Sequence, residues 1–139
     1  MFKRIMVPVD LQYVDRLQNS LEIAARLARE YNATVYYVTV AGSLANRAAK
    51  RPEELETKLQ VFAREQGEMH GIATGSKMMR STDIAVELDD RLVQAQRELD
   101  ADLVVMASHI PGVADRLHLI SSNAGELAKR LPVSVFILR

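Results

Sequence analysis

Three short stretches of this sequence carry side chains suited to holding a ligand. Asp10 ends the apolar run Ile5–Val9. A carboxylate there can accept hydrogen bonds from the hydroxyls of a sugar or the amino group of a base. Ser108 and His109 follow a second apolar run, Leu103–Ala107. Ser121, Ser122 and Asn123 precede an apolar helix, where hydroxyls and unpaired backbone N–H groups can hold a phosphate. Each stretch also has a plainer reading. Asp10 can cap the next helix, Ser121–Asn123 can form an ordinary N-cap, and His109 can bond within its own loop. Both readings stand at this point.

Other chemistries find no footing. The three histidines, His70, His109 and His118, are not spaced as metal ligands, so no metal is expected. There are no cysteines, which excludes disulfides, thiolate nucleophiles and Cys-based zinc sites. Neither a Gly-x-Ser-x-Gly elbow nor a Gly-x-x-x-x-Gly-Lys-Ser/Thr loop occurs. Eighteen Lys and Arg balance eighteen Asp and Glu, so no global field gathers nucleic acid or acidic lipid. The basic stretch Arg47, Lys50, Arg51 is diluted by Glu53, Glu54 and Glu56. The six methionines read as core filler. The opening Met1–Asp10 is basic and then apolar for only about five residues, too short for a secretory or membrane-spanning segment. The expectation is a soluble, cytoplasmic chain with no membrane insertion.

The elements that must position these residues follow from periodicity. Ile5–Val9 reads as a buried strand. Leu17, Leu21, Ala24, Ala25 and Ala28 predict a helix from about Val14 to Tyr31, with a turn at Asn32 and Ala33. Thr34–Val40 is a second strand, dense in β-branched and aromatic residues. The polar stretch Ala41–Arg51 reads as a loop. Pro52, Glu53 and Glu54 suit a helix start, and Leu55, Leu59, Phe62, Ala63 and Met69 carry that helix to His70. Gly71–Ser76 reads as a break, with a third strand inside Lys77–Ser81. Ile84, Leu88, Leu92, Ala95 and Leu99 predict a third helix, capped by Thr82 or Asp83. Leu103–Ala107 is a fourth strand, Ser108–Ser121 a long loop, Asn123–Arg130 a fourth helix and Val133–Leu138 the last strand. Alternating strands and helices in one domain, residues 1–139, imply a parallel sheet covered on both faces. Ligands in such sheets bind beyond the carboxyl ends of the strands, where Asp10, Val40 and Ala107–His109 fall.

The last strand, Val133, Ser134, Val135, Phe136, Ile137 and Leu138, is almost wholly apolar. Left open at a sheet edge it would aggregate, and pairing with a twin would cover it. A symmetric homodimer through this strand is one expectation; an internal strand covered on both sides is the other.

At this stage the residues resemble a known family. Ile5–Asp10, Asp100–His109, and Ser122-Asn123-Ala124 followed by Pro132–Arg139 look like the corresponding parts of universal stress protein domains. Ser108-His109-x-Pro111-Gly112 with the later Ser-Asn-Ala looks like the subgroup typified by the bacterial F and G stress proteins. The resemblance implies an open five-stranded parallel sheet with four helices, a three-layer α/β/α fold of the nucleotide-binding α-hydrolase-like type. It implies a stress-response or regulatory module, not an enzyme, that dimerises through the last strand and has a pocket for ATP or another adenine nucleotide. Carried over by position, Asp10 and Val40 would sit at the adenosine, and Ala107, Ser108, His109 and Ile110 with Ser121 and Ser122 at the phosphates; Pro8, Val9 and Asn123 would belong to the same nucleotide site. The family's pattern Gly-x2-Gly-x9-Gly-Ser/Thr is broken here. Its glycines fall on Ala107, Ile110 and Ile120 on a gapless reading, with Ser121 as the hydroxyl. On the subgroup reading Ser121-Ser122-Asn123 replaces Gly-Ser-Asn. Glycine lets a backbone approach phosphate closely, and isoleucine adds bulk there. The alternative is therefore a dimeric scaffold of the same fold that binds no ATP and works through a regulatory protein partner. A hydrolase using Asp10 or His109 is a third reading.

Overall fold

A computed structural model describes residues 1–42, 51–108 and 124–139. Five strands alternate with four helices: β1 (Arg4–Pro8), α1 (Gln18–Tyr31), β2 (Thr34–Ala41), α2 (Pro52–His70), β3 (Ala73–Arg80), α3 (Ile84–Leu99), β4 (Leu103–Ala107), α4 (Ala124–Arg130) and β5 (Ser134–Leu138). All pairings are parallel, and the sheet order is β3-β2-β1-β4-β5. The chain winds outward from β1 to β3, then returns to lay β4 on the other side of β1. The order therefore reverses between β1 and β4, which is the switch point of the sheet.

Side-chain alternation explains why the inner strands are largely apolar. Ile5, Val7, Val35, Tyr37, Leu103 and Val105 face one core with Leu21, Ala24 and Ala28 of α1 and Leu59 and Ala63 of α2. Met6, Val38, Val40, Val104 and Met106 face a second core with Leu92 and Val93 of α3 and Leu127 of α4. A strand buried on both faces favours apolar residues throughout; Thr39 of β2 is a polar residue buried among them. The expected three-layer α/β/α architecture is the observed one.

Three helices end with the same device. Asn32, Gly71 and Asp100 take left-handed backbone conformations, with φ of 55°, 64° and 52°, and their N–H groups close the last turns of α1, α2 and α3. Asn and Asp tolerate that conformation better than other L-residues, and Gly adopts it without strain.

The structure corrects several boundaries. β3 begins at Ala73, inside the segment read as a break, and runs to Arg80 rather than lying within Lys77–Ser81. An edge strand needs little apolar content, so Ala-Thr-Gly-Ser can pair without announcing itself. The segment before α1 starts earlier than Val14, as a 3-10 helix over Leu11–Leu17 kinked at Tyr13. β1 spans Arg4–Pro8, so Val9 and Asp10 lie just past it. β5 starts at Ser134, one residue after the expected Val133. It is an edge strand, not an internal one. Most of the polar stretch Ala41–Arg51, residues 109–121 of the expected loop, and Asn123, the expected first residue of the fourth helix, lie outside the described residues.

Candidate functional site

The carboxyl ends of the strands form one rim. The registers Pro8↔Val38, Val40↔Met79 and Ala107↔Leu138 set Asp10, Val40 and Met79 on one half of this rim and Ser108 and Arg139 on the other, the two halves meeting where β1 lies beside β4. Four residues separated by most of the chain thus gather near the switch point: Asp10 and Val40 on one side, Ala107 and Ser108 on the other. Val9, also at this rim, packs into the first core. His109, Ile110, Ser121, Ser122 and Asn123 lie outside the described residues.

Asp10 is buried, with 8% of its surface exposed. Its carboxylate accepts from Gln12 N–H at 3.0 Å, and its carbonyl accepts from Tyr13 N–H at 3.0 Å. Asp10 is therefore the N-cap of the Leu11–Leu17 helix, as the plainer reading has it. A carboxylate accepts several hydrogen bonds at once, so capping and ligand binding are compatible roles. The helix that Asp10 starts lies over the end of β2, where Leu11 packs with Ala41, Leu55 and Met78.

A second polar cluster borders the rim at the end of β3. Glu87 Oε1 accepts from Ser81 Oγ at 2.8 Å, Thr82 Oγ1 at 2.8 Å, Thr82 N–H at 3.0 Å and Asp83 N–H at 3.2 Å. Its other oxygen accepts from Arg91 at 3.0 Å. The Arg91 guanidinium first, then the Ser81, Thr82 and Asp83 donors, hold the Glu87 carboxyl well below the usual carboxylate range. Asp83 is the N-cap of α3 by position, but its side chain makes no capping bond. Glu87, one turn into the helix, supplies the acceptor instead. Local propensity points to Thr82 or Asp83 as the cap; the signal that points to Glu87 is the Ser-Thr-Asp-x-x-x-Glu spacing, one residue longer than a capping box.

Among the described residues no group of three or more His, Asp or Glu side chains could hold a metal ion. Among them no helix is long and apolar enough to cross a membrane.

Comparison with known proteins adds to this geometry. The sequence pattern of the Universal stress protein family matches residues 1–139. The universal stress protein from Archaeoglobus fulgidus is 20% identical, each chain is covered over 100% of its length, and the TM-score is 0.73. A structure of the Archaeoglobus fulgidus universal stress protein in complex with dAMP is 20% identical, with 99% of this chain and 98% of that one covered and a TM-score of 0.66. A universal stress protein in complex with cAMP is 17% identical, with coverages of 99% and 97% and a TM-score of 0.65. At these identities the structural likeness speaks to the fold.

Proposed function

This chain belongs to the universal stress protein family, and we propose that it is a regulatory binding module that holds an adenine nucleotide between β1 and β4 and works as a cytoplasmic homodimer. The observation that carries this reading is the convergence of Asp10, Val40 and Ala107–Ser108 at the point where the strand order reverses. Ligands of open α/β sheets bind in that crevice. The solved relatives in complex with dAMP and cAMP support an adenine nucleotide as the occupant. Asp10 would face the nucleoside, with Pro8 and the backbone of Val40 beside it, while Val9, buried in the first core, would support the rim from beneath. Ala107 and Ser108 would begin the phosphate loop, continued by His109, Ile110 and Ser121–Asn123. The reading asks for no bond-breaking step and no resident metal. β5, a wholly uncharged edge strand, would pair with its twin.

The test is to purify the protein without added ligand, denature it and identify the released small molecules by mass spectrometry. A near-stoichiometric adenine nucleotide is expected. Asp10→Ala should weaken its rebinding roughly tenfold to a hundredfold, the worth of one charged hydrogen bond. An empty protein that gives no heat with millimolar ATP or AMP overturns the reading. It would favour the dimeric scaffold acting through a protein partner, which the lack of any glycine between Gly112 and Gly125 supports.

A further inference from the structure

A proline is out of place in β1. This strand is the middle one of five, paired on both sides, and Pro8 is buried in it. Proline has no N–H, so within sheets it is confined to edges, strand starts and bulges.

The direction of the missing donor follows from the bonds around it. Backbone groups of a strand turn alternately to its two neighbours. Val9 N–H donates to the Val38 carbonyl of β2 at 2.8 Å, so the odd positions of β1 serve β2. The Arg4 carbonyl accepts from Asp102 N–H at 2.9 Å, on the β4 side, so the even positions serve β4. The donor that Pro8 lacks is therefore one toward β4. The register Met6↔Val104 aims it at the Val105 carbonyl.

The missing donor shows in the ladders. β1 and β2 pair from Arg4↔Thr34 to Pro8↔Val38, and β4 and β5 pair along their full lengths to Ala107↔Leu138. β1 and β4 pair only at Ile5↔Leu103 and Met6↔Val104. The other three pairs gain a further backbone bond just past the strands: Val9 to Val38 at 2.8 Å, Ser81 to Ala41 at 2.9 Å and Ser108 to Leu138 at 2.8 Å. The β1–β4 pair has its extra bonds at the opposite end, where the Asp102 carboxylate accepts from Lys3 N–H at 2.9 Å and Arg4 N–H at 3.1 Å. This pair is fastened at its amino end, and its ladder stops short of the rim at the switch point.

We propose that Pro8 is a positioning residue for the crevice. By withholding one backbone donor it stops β1 and β4 from zipping to their carboxyl ends, and so keeps room for a ligand between Asp10 and Ala107–Ser108. The identity of that ligand rests on the nucleotide reading above; the arrest of the ladder does not.

Pro8→Ala restores the donor. In the isotopically labelled variant, magnetic resonance should show a coupling across a hydrogen bond from the amide at position 8 to the Val105 carbonyl. That amide should exchange about a hundredfold or more slowly than a free one, as strand amides do. AMP, titrated by calorimetry, should bind about tenfold or more weakly than to the parent, the loss expected when one polar contact is displaced. Pro8→Val, which restores the donor with a bulkier side chain, should behave alike. A fast-exchanging amide at position 8 overturns the inference, as does a new bond with unchanged AMP affinity. Failure of both variants to fold also overturns it, because a residue that only holds a crevice open is dispensable for folding. If the parent protein binds no adenine nucleotide, the nucleotide reading fails by itself, and the amide at position 8 still decides whether Pro8 arrests the ladder.

Discussion

The two edges of this sheet are built by opposite rules. β3 reads Ala-Thr-Gly-Ser-Lys-Met-Met-Arg, and its middle is defended. Lys77 points a charge from it toward Glu98 of α3, 3.7 Å away. The ring of Tyr36 lies over Gly75, so close that a Cβ there would come within 2.8 Å of two ring carbons. Thr74 Oγ1 donates to the Ala63 carbonyl of α2 at 2.6 Å, drawing that helix against the strand. β5 reads Ser-Val-Phe-Ile-Leu and has none of this. Val135 and Ile137 pack into the second core, while Phe136 on the other face is 40% exposed. A lysine in mid-strand is how sheets refuse a further strand, and an uncharged apolar edge is how they accept one. The contrast is the physical ground for placing the proposed dimer at β5 and not at β3.

The largest expected effect tests that contrast directly. Phe136→Lys gives β5 the defence that β3 already has. It should weaken dimerisation by about a hundredfold or more, as loss of a central aromatic with an added charge does. Analytical ultracentrifugation across micromolar concentrations reads the shift to monomer. An unchanged dimer would move the interface away from β5. The converse change, Lys77→Val, strips the defence from β3 and should produce concentration-dependent association visible in light scattering.

Next in size is the packing that closes the β3 edge. Gly75→Val places atoms where the Tyr36 ring now lies. The ring must move off the strand, at a cost of about 1–3 kcal/mol, the usual range for overpacking. Urea denaturation should show the midpoint fall with little change in slope. A variant as stable as the parent would mean that the ring leaves at no cost and that the glycine is incidental.

The same contrast explains what could be read from the sequence. β1, β2 and β4 are buried on both faces, so Ile-Met-Val, Val-Tyr-Tyr-Val and Leu-Val-Val-Met announce themselves as strands. β5 was legible because its edge is undefended. β3 was half hidden because the residues that defend an edge, glycine, serine and lysine, are also the residues of a break. At the site, Asp10, Val40, Ala107 and Ser108 could be named because each ends an apolar run. Their convergence depends on β4 inserting beside β1, which alternation of elements alone does not dictate. The role of Glu87 was missed because it sits a turn inside α3, where its spacing matches an ordinary surface position. Pro8 was placed at the ligand by resemblance; what it does to the β1–β4 ladder became visible only with the register.

The smallest effect concerns how β3 is held at its carboxyl end, where β5 has no counterpart among the described residues. Glu87 ties Ser81, Thr82 and the Asp83 amide to Arg91, so the strand leaves the sheet through a loop pinned by one ionised carboxylate. Because the folded state holds this proton more weakly than an unfolded chain does, its contribution to stability is fully present above the ordinary glutamate value of about 4.3. It is lost as the pH falls from there through the lower folded value. Protonation removes the Arg91 attraction and turns one acceptor oxygen into a donor facing hydroxyls and amides that already donate. Glu87→Gln should therefore be less stable than the parent at neutral pH, and the gap should narrow as the solution is acidified. Urea denaturation of both proteins at pH 7 and near pH 3 measures this. A gap that stays constant with pH would mean that Glu87 acts through shape and not through charge, and that the pinning of the β3 edge owes nothing to its ionisation.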